Sequence, residues 1–264
     1  MTGARYFILV GQMVRTSAVL AMRYRMQFLV ELVMSVFWVI WTVAPLSFAF
    51  QHRENIGGWR MPEALLVMGF FIILKAVLEG TINPNLLSVV EHIRKGTLDF
   101  VLIKPVDSQF LVSASRLEPV KIVDVAGGLA VLGWALHELR LVPGPTEVFS
   151  AAGMMFASVL ILYAVWLLAI CTAFWFVRID NLAHLFASIL DAGRWPLTVF
   201  RGWLRFVLTF VVPVGLMTSF PAMALRGTLE TSAAFTALGV AVGFVVVSRV
   251  MWKTAVRHYR SASS

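Results

Sequence analysis

The chain has 264 residues, of which 59% are hydrophobic and only 14% are charged, and its formal net charge is +8. Soluble domains have about a quarter charged residues, so this composition indicates an integral membrane protein. A membrane-spanning helix needs about 20 apolar residues, so the length allows about six spans and excludes a soluble catalytic domain. The basic residues form short clusters between apolar runs, as in cytoplasmic loops, and we therefore expect no nucleic-acid partner.

Residues 4–25 precede the first long apolar run, and charged residues interrupt them too often for a span. Gln12 and Arg15 also leave the apolar stretch too short for a signal peptide. On a helical wheel the polar residues share one face and the apolar residues share the opposite face. This pattern predicts an amphipathic helix on the membrane surface, and its arginines place the helix on the cytoplasmic side.

The first two predicted spans are Met26–Phe50 and Pro62–Val90, joined by a polar outer loop. Lys75 and Glu79 lie near the middle of the second span, and their spacing of four residues places them on one helix face. Charged residues at that depth are candidates for function by default. A structural ion pair that faces a neighbouring helix explains them equally well. We expect Pro84 to kink the helix just below this pair.

The most polar stretch between the apolar segments is Glu91–Asp107, with the sequence EHIRKGTLDFVLIKPVD. Gly96 is typical of a helix end, and Pro105 prevents a helix from continuing. We interpret this charged turn as the contact site for a separately encoded subunit that hydrolyses ATP; the alternative is an ordinary solvated loop. A short amphipathic piece, Ser108–Glu118, follows it. Residues 91–118 together form a predicted cytoplasmic coupling region.

The third and fourth predicted spans are Pro119–Leu139 and Glu147–Val177. Asp124 lies inside the third span and is a further candidate intramembrane polar residue. The sequence contains no phosphate-binding glycine loop, metal-ligand motif or serine-hydrolase motif. We therefore predict that the chain is not an enzyme, holds no cofactor or metal itself, and has no catalytic residues.

Residues 181–226 are compatible with two arrangements. In the first, Asn181–Trp195 is the fifth span, and Pro196–Arg226 forms broken helices that re-enter the membrane from the outer face. In the second, residues 181–205 lie on the cytoplasmic surface and Phe206–Leu225 is the fifth span. The arginine positions favour the second arrangement, whereas the prolines of the later piece favour the first.

The sixth predicted span is Ser232–Trp252, followed by a basic tail. Both arrangements give six spans with both termini in the cytoplasm. In the first arrangement, most of the 22 lysines and arginines lie in cytoplasmic segments, which supports this orientation.

Three stretches resemble the membrane subunits of ABC-2 type transporters, in particular the small six-span bacterial permeases. They are IRKGTLDFVLIKPVD at Ile93–Asp107, the proline-bearing segment Arg194–Gly227, and WKTAVRHYRSAS at Trp252–Ser263. The order and spacing of the six spans agree along almost the whole chain.

The resemblance implies an all-α integral membrane protein in which residues 1–264 form a single permease domain. It implies an exporter with two ATPase subunits, which bind ATP and magnesium, and a second permease chain, identical or homologous, in the bacterial inner membrane. In such proteins the N-terminal helix and the coupling helix lie against the ATPase, and re-entrant outer helices precede span six. The expected ATPase-coupling residues are Arg94, Lys95, Gly96, Thr97, Leu98, Asp99 and Lys104.

The apolar, aromatic-rich composition favours a hydrophobic or amphipathic substrate. Two alternatives remain open from the sequence. The first is an ATP-independent membrane protein, either an ion-coupled carrier that uses Lys75 and Glu79 or a membrane-embedded enzyme. The second is a membrane anchor that does not transport.

Overall fold

The computed structural model describes residues 11–13, 15–17, 19, 25–175 and 180–259. These residues are mainly helical, and the only paired extended backbone among them is an isolated bridge between Ile56 and Trp59. The α-helices are α1 (Arg25–Gln51), α2 (Met61–Val77), α3 (Asn83–Arg94), α4 (Asp99–Leu102), α5 (Ser108–Ser113), α6 (Lys121–Glu138), α7 (Pro145–Cys171), α8 (Asp180–Asp191), α9 (Gly202–Phe206), α10 (Val214–Leu225) and α11 (Thr231–His258). The predicted all-α class is confirmed. Most of the surface helix predicted at residues 4–25 lies outside the described residues.

Five helical segments in the described residues are long and apolar enough to cross a membrane. They are Phe28–Gln51, Met61–Arg94, Pro119–Glu138, Pro145–Phe174 and Thr231–His258. These segments coincide with predicted spans one, two, three, four and six. In the same residues, the pair Gly202–Val211 and Val214–Leu225, bent by 82°, gives a sixth candidate if it counts as one span. The chain is therefore a multi-pass membrane protein, with five or six candidate crossings in the part that the structure describes.

The second span is the central helix of the bundle. Its residues Glu63–Ile72 are buried on every face, as expected for a helix that is apolar all round and surrounded by other helices. Helices α6, α7 and α10 pack around it. Including α3, this span has 34 residues and is about 51 Å long. A hydrocarbon core is about 30 Å thick, so the end that contains Arg94 extends beyond it.

A π-turn at Leu78–Ile82 joins α2 to α3. It ends two residues before Pro84, which has no backbone N–H to donate to the carbonyl of Gly80 four residues earlier. The backbone N–H of Glu118 donates to that carbonyl instead, at 2.9 Å. The interruption that we expected at Pro84 therefore also attaches the second span to the start of the third.

Helices α2 and α6 touch at two glycines. A Cβ atom added to Gly128 would lie 2.6 Å from the Ile73 side chain and 3.0 Å from the Gly69 carbonyl oxygen. A Cβ atom added to Gly69 would lie 2.7 Å from the Leu132 side chain. Close approach of helix backbones at small residues is a common basis of packing within membranes.

We expect Gly128→Leu to separate α2 from α6 and to destabilise the protein by about 1–3 kcal/mol or more, because backbone atoms cannot yield as a side chain can. Gly133→Leu is the matched control, since nothing lies within 4 Å of a Cβ atom at that position of the same helix. Thermal melting in detergent, followed by size-exclusion chromatography, measures both variants. Equal melting temperatures would contradict this packing.

The segment between the fourth and sixth spans is irregular. Helix α8 has 12 residues, and residues 176–179 directly before it lie outside the described part of the chain. A fifth span over Asn181–Trp195 stays a prediction, although the described helix ends at Asp191, before Trp195. The helix ends at Asp191, and the chain continues in two 3₁₀ turns separated by Pro196. The residue before a proline is restricted to extended backbone, which prevents a continuous helix here.

The next segment, residues 196–226, is called the hairpin. Both of its ends lie at the Met61 end of the second span. The Thr198 hydroxyl donates to the Gly57 carbonyl in the loop before α2. At the other end Arg226 contacts Glu63 at 2.7 Å. Between these contacts the chain bends by 82° at the start of α10.

Candidate functional site

The coupling segment, residues 91–118, begins with a glycine-terminated helix. Gly96 has φ +65°, and the backbone N–H of Thr97 donates to the His92 carbonyl at 2.9 Å. This left-handed termination is accessible to glycine at little cost. The chain then forms α4, a single turn, before Asp107 caps α5 by accepting a hydrogen bond from the Phe110 N–H at 3.0 Å.

An arginine of the last span binds this segment. Arg249 of α11 donates to Asp107 Oδ1 at 3.0 Å and to Gln109 Oε1 at 2.7 Å, and its second terminal nitrogen contacts Asp107 Oδ2. A fork of this kind fixes both distance and direction. The hydrogen bond from Arg249 lowers the pKa of the Asp107 carboxyl below its usual value, so the ion pair is intact at neutral pH.

Helix α5 also contacts two spans through neutral hydrogen bonds. The Tyr163 hydroxyl of α7 accepts from Gln109 Nε2 at 3.0 Å and lies 2.7 Å from Ser113 Oγ. Trp252 of α11 donates from Nε1 to Ser108 Oγ at 3.2 Å. We call these contacts, together with the Arg249 fork, the anchor. The anchor joins the coupling segment to α7 and α11.

The far end of the coupling segment is joined to the second span. Asn85 of α3 is fully buried, and its amide group donates to the Arg116 carbonyl at 2.6 Å and accepts from the Arg116 N–H at 2.7 Å. The backbone N–H of Leu117 donates to Ser17 Oγ at 3.3 Å, which places part of the N-terminal region beside this segment.

Tyr259, which directly follows the last span, lies near Asp99 in the first part of the coupling segment. Phe174 packs edge-on against Trp252 and Tyr259, with ring centroids 6.0 and 6.1 Å away. Burial raises the pKa of the Tyr259 hydroxyl, and the nearby Asp99 carboxylate raises it further. Two of the stretches that carry the family resemblance, far apart in the chain, are therefore neighbours in space.

The predicted ATPase-coupling residues differ in exposure. Arg94, Lys95 and Lys104 are exposed, and Lys95 lies 3.7 Å from the Glu91 carboxylate. Gly96, Thr97 and Asp99 are partly buried, and Leu98 is completely buried, so its side chain packs inward beneath α4. Partner contact by these residues stays a prediction.

Sequence reasoning missed two apolar side chains of the coupling segment. Phe100 is 66% exposed and Ile103 is 76% exposed. Both follow the end of the long second span, in a segment that polarity places outside the membrane. Exposed apolar side chains rimmed by polar residues are typical of protein contact sites. In the sequence, these two residues could have been identified as a contact site because they are apolar residues inside a charged turn.

The predicted intramembrane polar residues lie in one ion network with three further side chains. Its members are Lys75, Glu79, Lys121, Asp124, Asp191 and Arg194. Lys121 lies 2.6 Å from Glu79 and 3.2 Å from Asp124, and Lys75 lies 3.4 Å from Asp191. The predicted Lys75–Glu79 pair is the longest contact, at 3.9 Å. Arg194 completes the network at 3.1 Å from Asp191.

The network contains three basic and three acidic side chains, so its formal charges cancel. Burial of an unpaired charge is costly, and this balance lets α2, α6 and the end of α8 carry charges in an apolar bundle. The arrangement agrees with a structural role for the charges. Lys121, Asp191 and Arg194 were not predicted as members. Asp191 is 116 residues from its partner Lys75, and Arg194 joins the network through Asp191.

The family comparison agrees with this architecture. The family model described as "ABC-2 family transporter protein" matches residues 19–263, nearly the whole chain. No curated protein and no solved structure matches the chain. Members of this family are transporter membrane subunits rather than enzymes on their own, and they typically work with ATPase partners. The chain belongs to the ABC-2 family of transporter proteins, and the resemblance seen in its sequence is confirmed.

Proposed function

We propose that the chain is the transmembrane subunit of an ATP-driven exporter that moves a hydrophobic or amphipathic substrate out of the cytoplasm or the inner leaflet. Two separate ATPase subunits supply the energy and hold the ATP and magnesium. The observation that carries the proposal is the coupling segment. It presents exposed cations and two exposed apolar side chains, and its other face is bound to three spans.

The proposed assembly contains a second permease chain, identical or homologous, in a bacterial cytoplasmic membrane. The clusters of basic residues support cytoplasmic termini and a cytoplasmic coupling segment. Exposed apolar side chains along α1 and α11 support contact with lipid or with the second permease.

We place the hairpin of residues 196–226 at the outer end of the transport path, as re-entrant helices. Its two ends contact Gly57 and Glu63, which lie at the end of the second span opposite the coupling segment. Irregular backbone at membrane depth needs protein around it, and α10 packs on α2 and α7.

In the proposed mechanism, closure of the ATPases displaces α4 and α5. The anchor passes this displacement to α7 and α11, and Asn85 passes it to the second span. The anchor's ion pair and hydrogen bonds are directional, so the spans follow the segment instead of sliding past it.

Charge reversal by Arg94→Glu combined with Lys95→Glu tests the proposal. We expect ATP hydrolysis by the purified complex to continue while ATP-driven transport into inside-out vesicles falls at least tenfold, because the surface charge that the partner meets is inverted. Arg53→Glu, in the loop between α1 and α2, is the control and should transport normally.

Normal transport by the reversed variant would overturn the coupling assignment. Transport driven by a proton gradient without ATP would favour the ion-coupled carrier instead.

Affinity purification of the tagged chain, followed by mass spectrometry, identifies the ATPase and shows whether the second permease is identical.

A further inference from the structure

Part of the hairpin carries an aromatic face that the described part of the bundle leaves exposed. The helix Gly202–Val211, formed by α9 and the π-turn after it, is called the aromatic limb. Trp203, Phe206 and Phe210 follow one another at spacings of three and four residues, so they share one side of the limb. They are 76%, 59% and 67% exposed, whereas Leu208 on the opposite side is buried in the apolar core. The limb therefore has a packed side and an aromatic side.

The aromatic limb also presents positive charge without compensating acids. Residues 192–229 contain four arginines and no Asp or Glu. Two of the four arginines contact the carboxylates of Asp191 and Glu63, which lie outside this stretch. The other two, Arg201 and Arg205, are exposed and form no ion pair with any residue that the structure describes. Both lie at the start of the limb, beside its aromatic side chains.

The aromatic limb lies near the membrane boundary, where the second span begins. The chain enters the limb just after Thr198, whose hydroxyl donates to Gly57 in the loop before that span. It leaves the limb through the 82° bend into α10, and α10 packs on α2 and α7. A helix turned through this angle from one that packs on the spans can lie along the membrane surface. The limb consists of two five-residue pieces and is about 15 Å long, so it is too short to cross the membrane alone.

Aromatic side chains beside unpaired arginines are typical of the membrane–water interface. Rings such as that of Trp lie at the level of the lipid headgroups, and arginine side chains extend from apolar surroundings to the charged surface. Anionic headgroups attract such cations. A second copy of this chain fits the face less well, because two paired limbs would bring their arginines together with no acid on either limb to compensate them.

We propose that the aromatic limb binds anionic phospholipids at the membrane surface. Trp203, Phe206 and Phe210 lie among the upper parts of the acyl chains, and Arg201 and Arg205 contact the headgroup phosphates. In the orientation proposed above, these lipids belong to the outer leaflet. The inference goes beyond the proposed function and does not depend on it, since lipid binding by the limb requires neither ATP nor a transported substrate.

Photo-crosslinking from the limb tests this assignment on the full chain. The photoreactive amino acid p-benzoylphenylalanine replaces Phe210, and the chain is placed in nanodiscs that contain equal amounts of dioleoyl phosphatidylglycerol and dioleoyl phosphatidylcholine. After illumination, mass spectrometry of the intact chain identifies the adducts. The two lipids share their acyl chains and differ in net charge, so we expect phosphatidylglycerol adducts to exceed phosphatidylcholine adducts about tenfold.

Substitution of the two arginines tests their role in the same assay. Arg201→Gln combined with Arg205→Gln should lower the ratio of the two adducts to about one, because no cation of the limb then favours either headgroup. Arg201→Lys combined with Arg205→Lys keeps both charges and should keep most of the preference. Arg140→Gln is the matched control and should keep the full ratio, since Arg140 is also exposed but lies in the turn between α6 and α7.

Adducts with a second protein chain would overturn the proposal, since they would show that protein covers the aromatic face. The absence of any adduct would place this face in water and would overturn the proposal as well. An adduct ratio near one with both arginines present, or an unchanged ratio in the glutamine double variant, would show that the arginines select no headgroup and would overturn the assignment to anionic lipid.

Discussion

Replacement of both Phe100 and Ile103 by aspartate should abolish stable association of the chain with the proposed ATPase subunits. Each of these apolar side chains would contribute about 1.5–3 kcal/mol when fully buried by a partner. Two carboxylates at the same positions would instead have to lose water. We therefore expect the dissociation constant for the ATPase to rise at least on the order of 100-fold.

Co-purification from membranes and titration of the purified subunits measure this effect. Val142→Asp is the control, because Val142 is also highly exposed but lies in the turn between α6 and α7, away from the coupling segment. The control should co-purify with the ATPase at the wild-type yield. Wild-type association of the Phe100→Asp, Ile103→Asp variant would show that the partner binds elsewhere.

Arg249→Met should leave the ATPase bound and active but reduce transport at least tenfold. The change removes the fork that joins α11 to Asp107 and Gln109 and leaves α11 joined to α5 through Trp252, so in the proposed mechanism less of the movement of the coupling segment reaches the last span. Arg249→Lys should give an intermediate loss, since an ammonium group keeps the charge but cannot form the planar fork. Coupled assays of hydrolysis and transport on the same vesicles separate the two activities.

Asp107→Asn distinguishes the ion pair from the helix cap. Asparagine caps a helix about as well as aspartate, so the bond from the Phe110 N–H is kept while the charge is lost. Because the pKa of Asp107 is lowered, the pair stabilises the folded protein at neutral pH, and this contribution is lost only as the pH falls below the usual value of 3.8. The transport defect of Asp107→Asn should therefore be the same from pH 6 to pH 8. Wild-type transport by Arg249→Met would contradict the role of the anchor.

Apolar length was sufficient to predict five of the spans. Runs of about 20 apolar residues have few alternatives to a membrane helix. The region from Asn181 to Arg226 was ambiguous because Arg194 and Pro196 interrupt its apolar runs, which leaves pieces too short to assign. Its path depends on contacts with α2 and α7, and these long-range contacts have no local pattern.

The candidate site was also predicted only in part from the sequence. Polarity, Gly96 and Pro105 located the coupling segment. The anchor was missed because Asp107 and Arg249 are 142 residues apart, and a single arginine near the end of an apolar run resembles the basic tail that follows it. Local spacing also predicted the Lys75–Glu79 pair, but Asp191 and Lys121, from other parts of the chain, lie closer to these two residues.

The hydrogen bond between Glu118 and Gly80 has a consequence for the electrostatics of the bundle. It holds the residues just before α6 against the π-turn, and Lys121, the first residue of α6, contacts Glu79 of that turn. Pro84 carries no amide hydrogen for the Gly80 carbonyl, and the Glu118 N–H donates to that carbonyl. A proline in the second span is thereby linked to the position of a positive charge on a different helix.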